Sequence, residues 1–195
     1  MAEVVLFHHA QGLTQGVRDF ADRLRADGHT VHTPDLYNDG ETFDTVDEGV
    51  AHAREIGFEE VLDRGVRAAD DLPDDVVYAG FSLGVMPAQK LAQTRPGALG
   101  ALFFHSCLPT SEFGDGWPDG VPVQVHGMEG DPDFAVEGDL EAAQALVAST
   151  PDAELFLYPG NEHLFADSSL SSYVPEAADQ LTQRVLTFLD RFPAR

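Results

Sequence analysis

The chain has 195 residues, and its 34 Asp and Glu against 11 Lys and Arg give a formal net charge of −23. So acidic a surface repels phosphate backbones and anionic lipid headgroups, which argues against nucleic acid and membrane surfaces as partners. A hydrophobic fraction of 43% with 13 Phe is enough for a sizeable core, so the charge does not signal disorder.

In chain order, Val4 to Phe7 is a continuous apolar run of the kind that forms a strand buried on both faces. Arg18 to Ala26 places Phe20, Ala21 and Leu24 on one helical face, and Asp27-Gly28 closes it. Thr30 to Thr33 reads as a second strand, stopped by Pro34. Asp47 to Asp71 carries helical spacing through Val50, Ala53, Ile56, Leu62 and Val66, interrupted by Gly57 and Gly65. Val76 to Ala79 is a third strand, followed by Gly80 and a helix through Ala92. Ala101 to Phe104, Val121 to Val125 and Leu155 to Tyr158 supply three more strands, with helices at Leu140 to Ala148 and Pro175 to Phe192. Strands and helices in alternation predict an α/β fold: a mostly parallel sheet of about six strands, flanked by helices on both faces. Chemistry then lies at the carboxyl ends of the strands. With no repeat or linker in sight, residues 1–195 read as a single domain.

Cys107 is the only cysteine, so no intramolecular disulfide forms, and no zinc-type Cys/His spacing occurs. His9, His105 and His126 all fall near predicted strand ends, but their spacing matches no metal-ligand pattern, and no metal is expected. Neither G-x-G-x-x-G nor a P-loop sequence is present, so no cofactor is implied. The N-terminus lacks a basic stretch followed by a long apolar run, and no segment reaches the ~20 apolar residues that span a bilayer. The expectation is a soluble, cytoplasmic protein, either a monomer or a homodimer.

The sharpest local signal is Gly80-Phe81-Ser82-Leu83-Gly84, directly after a strand and directly before a helix. In G-x-S-x-G the small residues allow a tight turn that lifts the serine hydroxyl above the sheet. The Leu83 amide then faces a developing oxyanion at the helix N-terminus. A serine needs a base within hydrogen-bond reach and a third group to hold that base, in the chain order Ser, acid, His. Glu129, Asp131 and Asp133 follow the fifth strand, and His163 is the only histidine after the sixth.

Taken together, His9 to Leu13, Asp27 to Tyr37 with its Pro34-Asp35-Leu36-Tyr37, the Ser82 elbow, Gly127 to Asp131 and Tyr158 to Phe165 resemble the dienelactone hydrolase family of α/β-hydrolases. The resemblance runs over most of the chain. It implies a catalytic triad of Ser82, Asp131 and His163, a preference for Asp131 over Asp133 as the acid, and a second oxyanion donor at the Ala10 amide. Where the family's namesakes carry a cysteine nucleophile, this chain has Ser82; where they have a glutamate after the first strand, it has His9. Asp167 stands where they hold a substrate carboxylate with arginine, so an anionic dienelactone is disfavoured and neutral or cationic esters are preferred.

The activity implied is hydrolysis of a small carboxylic ester, lactone or thioester. An acyltransferase or perhydrolase with the same triad, or a non-catalytic ligand-binding member of the fold, are the rival readings. Ser106 to Gly120 is too short for a cap domain, which suggests a shallow pocket. Its expected lining is His9, Phe81, Cys107 and Trp117, with Phe113 nearby.

Overall fold

In the computed structural model, residues 1–136 and 138–192 are described; the last three residues of the expected domain lie outside them. The elements are β1 (Glu3–Phe7), α1 (Gln15–Ala26), β2 (Thr30–His32), α2 (Val46–Ile56), α3 (Phe58–Arg67), β3 (Val77–Phe81), α4 (Val85–Thr94), β4 (Gly100–Phe104), β5 (Val123–Met128), α5 (Pro132–Val136), α6 (Asp139–Ser149), β6 (Ala153–Tyr158) and α7 (Pro175–Leu189). The strands form one six-stranded sheet in the order β2-β1-β3-β4-β5-β6. Each neighbouring pair runs parallel.

The pleat sends alternate residues of each strand into two separate cores. Val4 and Leu6 join Val17, Phe20 and Leu24 of α1 and Leu181, Val185 and Phe188 of α7. Val5 and Phe7 join Val61 of α3, Val85, Ala88 and Leu91 of α4, and Leu146 of α6. Strands buried on both faces have no polar alternation, which is why they read as continuous apolar runs.

Helix ends follow local chemistry. Thr14 caps α1 by accepting from the Val17 amide. Thr45 and Glu48 form a reciprocal capping box at the start of α2.

Three expectations are corrected. The single helix over 47–71 is two helices, because Gly57 adopts φ 99°, ψ 124°, a backbone state that favours glycine and breaks the hydrogen-bond ladder. The fifth strand starts and ends later than Val121 to Val125, and its six residues are all buried. His126 therefore lies inside β5, stacked between core aromatics, and not at its end. The short helix α5 was not among the expected elements; its start is held by the Asp131 carboxylate, which accepts from the amides of Asp133 and Phe134.

Residues 105–122, between β4 and β5, carry only a single 3-10 turn at Thr110–Glu112, so no cap covers the sheet there. Among the described residues no helix is long and apolar enough to cross a membrane.

Candidate active site

The strand order reverses direction between β1 and β3, since the chain moves from β1 outward to β2 and then returns to β3. Open parallel sheets bind ligands at such a switch point, outside the carboxyl ends of the strands. Ser82 is the first residue after β3 and has φ 47°, a left-handed state that costs a non-glycine residue free energy and persists only where its surroundings impose it. The surroundings here are tight. A Cβ on Gly84 would lie 2.5 Å from the Phe7 carbonyl oxygen and 2.6 Å from that of His8. Only glycine lets the start of α4 press onto the end of β1, which brings the Ser82 turn beside the loop that carries Ala10. Gly84→Ala is expected to destabilise the fold by about 3 kcal/mol, because the obstructing atoms are backbone and cannot swing away. A urea midpoint equal to wild type would refute this account of the turn.

The structure brings Ser82, His163 and Asp131 into one hydrogen-bonded chain. The Ser82 hydroxyl lies 3.0 Å from His163 Nε2, and His163 Nδ1 lies 2.7 Å from Asp131 Oδ2. The other Asp131 oxygen accepts two backbone amides, so the buried carboxylate is fully engaged. With Nδ1 donating to the carboxylate, Nε2 is free to accept the serine proton. The loops after β5 and β6 are laced together by Glu129 N–H to Tyr158 O at 3.0 Å and Gly130 N–H to Gly160 O at 2.8 Å, which holds acid and base in register. Asp133 is close as well, its Oδ2 3.9 Å from His163 Nδ1, but its side chain is 47% exposed. Asp131, Asp133 and His163 also group closely enough to hold a cation, yet Asp131 is committed to His163 and to two amides.

Ala10 sits in the loop after β1, and its amide orientation is set by the peptide it shares with His9. The His9 carbonyl oxygen accepts from His8 Nδ1 at 2.7 Å and from the Gly12 amide at 3.0 Å. In a trans peptide the N–H points opposite to the C=O, so both bonds aim the Ala10 amide away from His8 and Gly12. It makes no hydrogen bond among the described residues. The Pro34-Asp35-Leu36-Tyr37 segment explains itself here. The Leu36 amide donates to His8 Nε2 at 2.9 Å, and the Tyr37 hydroxyl donates to the Ala10 carbonyl at 2.6 Å. Two residues of that segment thus clamp the loop from the second strand's side.

The cavity at Ser82 has a volume of ≈ 190 Å³ and is lined by Ser82, Leu83, Met86, His105, Ser106, Leu108, Asp133, Asp139 and His163. None of the four residues expected to line it does so. Phe81 is wholly buried, packed among Phe20, Phe104 and His105. Cys107 is buried with its thiol pushed up to about 12, first by burial and then by Asp139, so it remains a thiol. Trp117 packs edge-on against Phe103, donates to the Val121 carbonyl at 2.7 Å and borders a different surface cleft.

His9 is corrected most instructively. It is wholly buried, with Nε2 2.7 Å from Asp167 Oδ2 and Nδ1 accepting from the Gln11 amide. Asp167 also accepts from the Thr14 hydroxyl and from the amide and hydroxyl of Ser169. Burial lowers the His9 pKa, and its bond to Asp167 does not fully restore it. Burial opposes ionisation of Asp167, but the bonds from His9, Ser169 and Thr14 outweigh it and hold the carboxyl below its ordinary range. The pair is a neutral imidazole donating to a carboxylate. It ties the Ala10 loop to the segment after His163, and neither of its side chains lines the cavity.

His105 was set aside at the sequence level and proves to be part of the cavity wall. Its backbone has φ 64°, its ring is stacked on Phe81 and edge-on to His163 and Phe165, and neither ring nitrogen has a hydrogen-bond partner among the described residues. Burial, then the proximity of His163, His9 and His126, holds its pKa far below the ordinary histidine value. The signal available in the sequence was a lone histidine directly after a buried strand.

The sequence model of the Dienelactone hydrolase family matches residues 1–192. The chain belongs to the dienelactone hydrolase family. Among solved structures, a putative dienelactone hydrolase from Klebsiella pneumoniae superposes with a TM-score of 0.76 at 20% identity, covering 98% of this chain and 88% of that one. A dienelactone hydrolase-like promiscuous phosphotriesterase from metagenomic libraries gives 0.76 at 18% identity, covering 98% and 86%. A cold-adapted esterase from an Arctic intertidal metagenomic library gives 0.66 at 16% identity, covering 97% and 82%. At such identities these neighbours establish the α/β-hydrolase fold, while the family match supports a hydrolase.

Proposed function

We propose that this dienelactone hydrolase family member is a serine hydrolase cleaving small carboxylic esters, lactones or thioesters through an acyl-enzyme. The observation that carries the reading is the unbroken chain from Ser82 Oγ through His163 to buried Asp131, opening onto a cavity. Ser82 Oγ attacks the carbonyl carbon while His163 Nε2 takes its proton. Asp131 keeps His163 in the tautomer that can accept and stabilises the imidazolium that results. The amides of Leu83 and Ala10 receive the oxyanion, where preorganised donors act without reorganisation.

His163 then returns the proton to the leaving oxygen or sulfur as the carbon–heteroatom bond breaks. Water, deprotonated by the same imidazole, attacks the acyl-enzyme and releases the acid together with free Ser82. A fluorophosphonate, which mimics the tetrahedral species, is expected to give a single covalent adduct that peptide mapping assigns to Ser82. Folded protein in which Ser82 remains unmodified would sink the assignment.

A further inference from the structure

We infer that the cavity beside Ser82 selects esters that carry a positively charged ammonium group, held by Asp133 and Asp139; this rests on the hydrolase reading above. The nine residues lining the cavity include two carboxylates and no lysine or arginine. Asp133 lies on the His163 side and is half-exposed. Asp139, at the start of α6, is fixed by the Ser106 hydroxyl at 2.5 Å and the Cys107 amide at 3.2 Å. Those two donors orient its carboxylate at the cavity wall.

A second, independent feature of the same wall calls for a polar ligand. His105 is 1% exposed, and both of its ring nitrogens lack hydrogen-bond partners among the described residues. A neutral imidazole has one N–H to give and one lone pair to offer, and leaving both unmet in a buried site is costly. The left-handed backbone at His105 is a further local cost concentrated at this point. A polar substrate group entering the cavity satisfies what the protein leaves open, and the carboxylates set the sign of its charge. Asp133 and Asp139 are the carboxylates that line the cavity and can touch a substrate ammonium, whereas Asp167 is sealed in the core beside His9.

The size of the effect follows from Coulomb's law. A unit charge about 4 Å from a carboxylate in a water-accessible site is worth roughly a fivefold preference, and more where water is excluded. The test uses three ethyl esters matched in shape: β-alanine ethyl ester (ammonium), ethyl butanoate (methyl) and monoethyl succinate (carboxylate). A second pair, acetylcholine against 3,3-dimethylbutyl acetate, places the charge on the alcohol side. Each rate is divided by that of hydroxide-catalysed hydrolysis of the same ester.

The expected result is kcat/KM about fivefold or more higher for the cationic member of at least one pair, monoethyl succinate slowest, and the preference collapsing in about 1 M salt. Asp133→Asn and Asp139→Asn are each expected to bring the cationic-to-neutral ratio toward one. That ratio is internal to each variant and so is independent of any change in absolute rate. Equal turnover of cationic and neutral esters in both pairs, or preference for the anion, overturns the inference and leaves the hydrolase reading standing. A cationic preference that survives in both variants overturns the assignment to these residues. Absence of turnover of all five esters overturns the hydrolase reading, and the inference with it.

Discussion

Ser82→Ala is expected to lower kcat on a short-chain p-nitrophenyl ester by roughly four to six orders of magnitude, with little change in thermal stability. Ser82 Oγ would form the covalent bond, and among the described residues it is the nucleophile within hydrogen-bond distance of His163 Nε2, at 3.0 Å. His163→Ala is expected to cost a similar factor, because Ser82 then has no base. The double variant should be no slower than the worse single one, since groups that act as a unit are not additive. Asp131→Asn should cost roughly four orders of magnitude: an amide in place of the carboxylate favours the wrong tautomer of His163. Residual activity of Ser82→Ala within about tenfold of wild type would remove Ser82 from the mechanism.

Acid is expected to destabilise the fold well before the pH reaches the ordinary carboxylate range. Burial lowers the pKa of the wholly buried His9, His105 and His126. Burial, and then the charge of Arg184, brings His126 to about 3. A histidine whose folded pKa lies below its unfolded value of ~6.5 binds a proton first in the unfolded chain. Stability is therefore fully present above ~6.5 and is lost as pH falls from there toward the folded pKa, by up to about 1.4 kcal/mol per pH unit for each such group.

For His126 alone the window from ~6.5 to about 3 amounts to roughly 4–5 kcal/mol. This is a large share of the 5–15 kcal/mol typical of a domain, a generic figure taken as roughly the scale here. The mutual repulsion of a surface with formal charge −23 relaxes toward the isoelectric point near 4.3 and works the other way. His126→Gln separates the two effects: its stability should fall less steeply with acid than wild type, by about one proton's worth of slope. Urea midpoints that stay flat from about pH 7 to about pH 5 in wild type would refute the prediction.

Much of the fold was legible because it is written in local patterns. A strand covered on both faces must be apolar throughout, so Val4 to Phe7 and Ala101 to Phe104 announce themselves without knowledge of their neighbours. The elbow is local too: a strand, a serine between spaced glycines and a helix occupy one short stretch. The elements that were misread lack such a pattern or contradict it. Helical spacing continues through Gly57, and only the backbone angle there shows two helices instead of one. His126 looked like a strand end because a polar residue ordinarily stops an apolar run, yet Tyr158 and Gln124 meet its ring nitrogens within the sheet.

The candidate site was legible in its hydrogen-bonded Ser82, His163 and Asp131 and not in its walls. Ser82, Asp131 and His163 follow three strands whose ends the fold delivers to one edge; chain order left Glu129, Asp131 and Asp133 open as the acid, and the family resemblance pointed to Asp131. Which side chains face the cavity depends on contacts between segments far apart in the chain. His9 and Asp167, separated by 158 positions, each looked like a pocket residue until their mutual hydrogen bond buried both. His105 looked idle until its ring was found beside His163 without a partner.

The same distinction recasts the charge. By itself the sequence determined an acidic, apolar-cored α/β chain with a serine elbow, because composition, periodicity and tight turns are properties of neighbouring residues. Beyond Asp131, to which the family resemblance already pointed, tertiary structure decided where the acidic side chains among the 34 stand relative to the site. Burial and partner choice assign one carboxylate to His163, one to His9 and two to the cavity wall, and those assignments are made by long-range packing that no local pattern records.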